Sequence, residues 1–313
     1  MTRLTEPAAW EGPSSDPNDE QFGDVVERAT LETAGEYDAV LVGEPYDGAV
    51  LGRTGAREGP AAIRRELAAT KTHHVAHGPV TSVADLGDVA IPEPDAPSES
   101  DVVQAQTAVR EVTSRIHGQN TLPVFLGGDN SLTFPNAAPL LTHNTLGALS
   151  FDAHLDCRAV GDAPTSGTPY RQLHEAGLDA FAVVGARHFE TSTAYHDYAR
   201  EQGGTVLTAD EVADDPLDAV DAALDSLGDV DAVYVSLDMD VLDAAAAPGV
   251  SAPTPGGLTT RELFRMLGRV GGEERVAGFE VVECAPPLDD GTQTARAGAR
   301  AVAHFLSGLG GRR

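Results

Sequence analysis

The sequence predicts an α/β protein of three layers, with helices on both faces of a mostly parallel sheet. Two observations carry this reading. Six short, continuous apolar runs recur along the chain, DAVLVG, LPVFLG, LGALSF, AFAVVG, AVYVSL and VAGFEVV, and such runs suit strands buried on both faces. Between them lie stretches of helical periodicity, and strand alternating with helix is the signature of parallel crossover units. At 313 residues the chain is long enough to bury a substantial core without disulfides.

Taken in order, residues 1–36 are polar, acidic and rich in Pro, Ser and Asp, with a short amphipathic stretch around Val25 to Leu31. They read as an N-terminal extension or strap, and 37–313 as the main domain. The expected strands are 38–43, 122–127, 146–151, 180–185, 232–237 and 276–282, and the expected helices are 59–69, 101–116, 216–226, 260–270 and 293–306. The helix at 260 carries a capping signal, since Thr259 or Thr260 can accept from first-turn N–H groups and Glu262 lies in that turn.

Net charge is −28, and Lys71 is the only lysine. Such a surface repels nucleic acid and anionic membrane. Acid excess with almost no lysine fits adaptation to molar intracellular salt, where the Debye length falls to about 3 Å, so a halophilic source is expected. No run of about 18 apolar residues suggests a membrane span, and the first residues lack the apolar segment of a secretory signal. The expected location is the cytoplasm. Cys157 and Cys284 form no zinc pattern and read as reduced thiols.

The chemistry concentrates at two strand ends. LGALSF runs straight into DAHLDCR, and AVYVSL into DMDVLD. Asp152, His154 and Asp156 therefore emerge with period-2 spacing that aims them one way, and Asp238 with Asp240 does the same. Carboxylates gathered beside buried strands repel one another unless something positive lies among them. A pair of divalent metal ions is the simplest answer, because four aspartates offset two dications whose Lewis acidity activates water for hydrolysis. Oxygen-rich ligation with one imidazole favours Mn²⁺ over Zn²⁺. A third segment, LGGDNSLTFP, turns sharply after its strand and can start a helix at Asn130 and Ser131.

In that order, GGDNS, DAHLD and SLDMDVLD resemble the three signatures of the ureohydrolase family of arginases, agmatinases and formimidoylglutamases. PYDGAVLGRTGAREGPAAIR, APGVSAPTPGGLTTREL and VVECAPPLD add to the likeness, which runs from about residue 37 to the C-terminus. The resemblance implies an arginase-like fold, a homo-oligomer (trimer or hexamer) and two Mn²⁺ per subunit. By position, Asp152 and Asp238 would bridge both ions, Asp156 would bind the first, and His154 with Asp240 the second. Asn130 stands where the family usually has histidine, so the first ion exchanges an imidazole for a weaker amide oxygen. Glu283 would hold the substrate's amidine nitrogens, or else pair with an arginine.

The loop TSGTPYRQL carries Ser166 where arginases and agmatinases place a proton-shuttling histidine, and it resembles the formimidoylglutamase version. N-formimidoyl-L-glutamate brings two carboxylates beside its amidine, which call for arginine's fork of donors. Arg171 and Arg187 are the candidates, Arg187 equally readable as a surface ion-pair residue. The expected reaction is hydrolysis of the amidine C–N bond to L-glutamate and formamide, with Asp156, or a water held by Ser166, delivering the proton to the leaving nitrogen. His174, downstream on an expected helix, reads as a surface residue rather than a shuttle. Two alternatives stand beside this: another amidino or guanidino hydrolase such as agmatinase, and a catalytically silent binding or scaffold protein.

Overall fold

The computed structural model describes residues 3–92 and 99–312. Nine parallel strands form its main sheet: β1 (Glu27–Arg28), β2 (Ala39–Gly43), β3 (Val83–Asp88), β4 (Leu122–Leu126) and β5 (Leu146–Phe151), then β6 (Ala180–Ala186), β7 (Thr205–Thr208), β8 (Ala232–Asp238) and β9 (Val276–Val282). Their spatial order is β1-β3-β2-β4-β9-β8-β5-β6-β7. The main helices are α1 (Gly59–Ala68), α2 (Glu99–Ile116), α3 (Pro169–Ala176), α4 (Thr193–Glu201), α5 (Pro216–Ser226), α6 (Thr260–Gly271) and α7 (Gln293–Leu309). None of the described helices is long and apolar enough to cross a membrane.

Alternating strand residues feed two cores, one on each face. On one side Leu41, Val124, Leu149 and Phe279 meet Ile63 and Leu67 of α1, Val220 of α5, Leu263 of α6 and Phe305 of α7. On the other, Val40, Phe125, Ala148 and Tyr234 meet Val109 and Val112 of α2 and Leu173 of α3. α6 begins with a capping box: the Thr259 hydroxyl accepts from the Glu262 N–H, and the Glu262 carboxylate accepts from the Thr259 N–H at 2.8 Å.

Three strands of this sheet lie outside the sequence expectation. β1 and β7 are short edge strands, and neither carries a continuous apolar run. β3, VADLGD, is broken by Asp85, which is nevertheless fully buried. Arg64 of α1 makes that possible. Its Nε and Nη2 grip both Asp85 oxygens at 2.8 and 2.9 Å, its Nη1 reaches Asp88, and the Gly87 N–H adds a donor to Asp85. The N-terminal residues lie across the same edge, where the Trp10 indole donates to Asp85 at 2.9 Å and Phe22 is fully buried.

A buried carboxylate stripped of its partner keeps its desolvation cost and loses the compensating charge. Replacing Arg64 by Leu should therefore lower stability by about 3–5 kcal/mol, read as an earlier midpoint in chemical denaturation; a midpoint within error of wild type would show that Asp85 does not depend on Arg64.

Candidate metal centre

Four adjacent central strands, β4, β9, β8 and β5, deliver the candidate residues from their carboxyl ends, where open parallel sheets bind ligands. Leu237 of β8 pairs with Phe151 of β5, so Asp238 and Asp152 leave neighbouring strands at one level. Ligand atoms of Asp152, His154 and Asp240 lie within 4.8 Å of one another, as do those of Asp152, Asp156 and Asp238. Asp152 thus belongs to both groups.

Each acidic segment is folded by its own first carboxylate. Asp152 accepts from the His154 N–H at 2.7 Å and Asp238 from the Asp240 N–H at 2.8 Å, which curls each loop back over its strand end. Asp156 and Glu283 adopt positive φ, 40° and 61°, a region costly for residues with a β-carbon. Strain of this kind persists only where the surroundings impose it. Glu283 is held by donating its N–H to the Gly128 carbonyl and by accepting from the Asn130 N–H at 2.9 Å, while Asn130 Nδ2 meets Asp156 Oδ2 at 2.5 Å. Gly128 is required here, since a β-carbon would fall 1.7 Å from the Tyr46 carbonyl oxygen.

The electrostatics are those of a site short of positive charge. Burial, then the neighbouring carboxylates, push Asp152 and Asp238 well above the ordinary range, and burial followed by the charge of Asp129 does the same to Glu283. Asp156 is raised to about 6, chiefly by burial. Burial opposes a charge on His154, but its hydrogen bonds to Asp152 and Asp240 and their charges outweigh it and push its pKa well above the ordinary imidazole range. Its Nδ1 lies 3.1 Å from Asp240, and its Nε2 3.6 Å from Glu190. Asp152 Oδ2, Asp240 Oδ1 and Glu283 Oε2 are buried without a hydrogen-bond partner. Buried oxygens in that condition are expensive, and hard dications would satisfy them. The donor set fits such ions: carboxylates, one imidazole and one carboxamide.

The remaining candidates fall in different places. Ser166 builds the loop wall, donating its N–H to the Ala49 carbonyl and accepting from the Leu51 N–H through its hydroxyl. Arg171 on α3 donates Nε to the Cys157 carbonyl, and its guanidinium lies over the Tyr198 ring. Arg187 is not a surface residue. At 7% exposure it spends Nη1 on the Thr254 carbonyl and Nη2 on the carbonyls of Asp240, Val241 and Leu242, bracing the turn that carries Asp240. Among the described residues no ion pair joins Glu283 to an arginine. Both cysteines are buried and unpaired, and burial holds Cys157 at about 11.

Sequence reasoning passed over three contributors. Glu190, beyond β6, faces the far side of the His154 ring, where a carboxylate orients a ligating imidazole. Asp129 pins the loop after β2 by accepting from the Ala49 N–H at 2.8 Å. Arg158, exposed at the end of the DAHLDCR signature, lies along the Ser166 loop, where a β-carbon on Gly167 would come 2.7 Å from its Cδ. The first two look like ordinary loop acids in so acidic a chain; Arg158 was legible from its place in the signature.

His174 also departs from expectation. It turns inward, edge-on to Phe181 and Tyr198, with the Tyr198 hydroxyl 3.2 Å from Nδ1. Burial, followed by the charge of Arg171, lowers its pKa from 6.5 to about 4. The folded state resists protonation there, so its contribution is intact above pH 6.5 and is lost as pH falls toward 4. His174→Gln should flatten that limb of a stability-versus-pH curve followed by thermal melting; an unchanged slope would exclude His174 as its source.

The arginase-family model matches residues 37–308. The chain is 58% identical to the formimidoylglutamase of Halobacterium salinarum over 304 residues, 96% of this chain and 97% of that protein. Among solved structures, the formimidoylglutamase of Bacillus subtilis superposes with a TM-score of 0.86 at 30% identity, covering 96% of this chain and 95% of that one. The formiminoglutamase of Trypanosoma cruzi, solved with Mn²⁺, gives 0.82 at 26% identity, covering 95% and 100%. With fold, ordered signatures and full-length likeness in agreement, the chain belongs to the arginase family.

Proposed function

We propose that this chain hydrolyses the amidine C–N bond of N-formimidoyl-L-glutamate, water adding as L-glutamate and formamide separate. The observation that carries the reading is the convergence of Asp152, His154, Asp156, Asp238 and Asp240 at two neighbouring strand ends, with buried carboxylate oxygens left unpaired. Two Mn²⁺ ions held by these residues and Asn130 would supply Lewis acidity and an activated water. Asp152 and Asp238 would be shared by the two ions, Asp156 and Asn130 would help hold one, and His154 and Asp240 the other.

The residues around this centre divide the remaining work. Glu283 presents Oε2 inward and accepts from the amidine N–H groups, so the reacting carbon is turned toward the centre. Asp156, or a water held by Ser166, delivers the proton to the leaving nitrogen. The Ser166 loop carries no acid from Ala163 to Arg171, which suits a substrate bearing carboxylates. Arg158 and Arg171 supply the cationic rim, Arg187 being committed to the Asp240 turn. An acidic agmatine-type distal wall is what this loop lacks. The halophilic character expected from composition accords with the likeness to the Halobacterium salinarum enzyme, and the absence of membrane-spanning helices among the described residues accords with a cytoplasmic enzyme. The homo-oligomer expected from the family belongs to the same reading.

Mn²⁺-loaded protein in molar KCl should release formamide from N-formimidoyl-L-glutamate and no urea from agmatine or arginine. Urea from agmatine would replace this substrate with another, and silence on all three without bound metal would support a binding or scaffold role. Asp238→Ala removes a bridging carboxylate, so metal analysis after desalting should find less than half the wild-type manganese; undiminished manganese would refute the bridging role.

A further inference from the structure

A carboxamide ligates a cation through Oδ1 alone, so Asn130 can serve the centre only if its oxygen points there. Oxygen and nitrogen of the amide have nearly the same shape, and the surrounding hydrogen bonds decide which is which. Without an ion, Asn130 Nδ2 lies 2.5 Å from Asp156 Oδ2 and Oδ1 accepts from the Thr133 hydroxyl at 2.6 Å, the orientation opposite to the one a ligating oxygen needs. That hydroxyl also lies 2.5 Å from Glu280 Oε1.

Glu280 is fully buried in the middle of β9, and its Oε2 accepts from the Tyr234 hydroxyl at 2.7 Å and from Asn136 Nδ2 at 3.0 Å. Donors converging on both oxygens are the pattern of an ionised carboxylate. Burial raises its pKa above the ordinary range, and the donors from Asn136, Ser236, Thr133 and Tyr234 offset that rise only in part. The adjoining Glu44, which shares the Asn136 amide, is pushed well above the ordinary range by burial and by Glu280.

The Thr133 hydroxyl has one proton. With Asn130 Oδ1 turned toward it, two acceptors, Oδ1 and Glu280 Oε1, compete for that proton. If Asn130 turns Nδ2 toward it, the relay closes: Nδ2 donates to the hydroxyl, and the hydroxyl donates to Glu280. The conflict then moves to the other end, where Asn130 Oδ1 faces Asp156 Oδ2, and a cation between two oxygens resolves it.

We propose that Thr133, anchored by Glu280, is the positioning residue that fixes the polarity of the Asn130 amide and aims its oxygen at the first metal ion. The inference rests on the metal-binding reading above. It explains how an asparagine serves at this position: the relay supplies in orientation what the ligand lacks in strength.

The test is Mn²⁺ affinity, read by electron paramagnetic resonance titration and by the rise in melting temperature on adding Mn²⁺, a direct measure of binding to the folded state. Thr133→Val should weaken the less tightly held ion on the order of tenfold, about 1.4 kcal/mol, and shrink the Mn²⁺-induced rise; Thr133→Ser should restore both. In an Asn130→Asp background, both ends of the side chain are oxygen, so adding Thr133→Val should change Mn²⁺ affinity little. Wild-type affinity in Thr133→Val, or an equal loss in the Asn130→Asp background, would overturn the polarity role and leave Thr133 a structural residue. Wild-type protein that binds no Mn²⁺ would overturn this inference together with the metal-binding reading itself.

Discussion

Burying carboxylates is the constraint on which the rest of the molecule depends. Asp152, Asp238 and Glu283 lie at 0–4% exposure at the ends of adjacent strands, where desolvation and mutual repulsion both oppose ionisation. Arg158, at the end of the same segment, is the arginine whose charge reaches Asp156, and it offsets only part of that repulsion. Much of the surrounding structure is explicable as scaffolding that keeps these acids apart yet convergent. Arg187 fixes the turn after Asp238 from below through carbonyls, Glu190 faces the outer edge of His154, and the strained backbones of Asp156 and Glu283 turn their side chains inward. None of these devices neutralises the cluster, so the fold is arranged to receive charge rather than to avoid it.

The architecture was legible because the strands that build the site are buried on both faces. LGALSF and VAGFEVV occupy their expected spans to the residue, and AVYVSL extends by Asp238 alone. The elements that escaped are those where tertiary contacts override local composition. Asp85 breaks the pattern of β3 and is tolerated only because Arg64 arrives from a helix some twenty residues earlier in the chain. β7 and α4 lie toward the sheet's edge with mostly half-buried or exposed residues, and hydrophobic periodicity is weakest there.

The site residues divide along the same line. Aspartates with period-2 spacing announce a shared direction, so Asp152, His154, Asp156, Asp238 and Asp240 were readable from position alone. The roles of Arg187 and Glu190 were not, since both depend on which loop lies beneath or beside them. An arginine after a strand reads as a ligand for anions; here the carbonyls of Asp240 through Leu242 reach it first. Thr133 and Glu280 were hidden more deeply, because a threonine near a helix start and a glutamate inside an apolar strand acquire meaning only when 147 positions of sequence separation close to a hydrogen bond.

The Glu280 network also bears on why so polar a seam survives in the sheet's interior. Replacing buried polar groups with well-packed apolar ones is often neutral or favourable for stability, so Glu44, Asn136, Tyr234 and Glu280 need a reason beyond stability. Their hydrogen bonds link β2, β8 and β9 to the turn that carries Asn130. A hydrogen-bonded seam has direction as well as strength: each donor commits its neighbour to accept, and the commitment passes from Tyr234 and Asn136 through Glu280 and Thr133 to Asn130. An apolar seam could hold the same strands together, but it could not tell one end of an amide from the other.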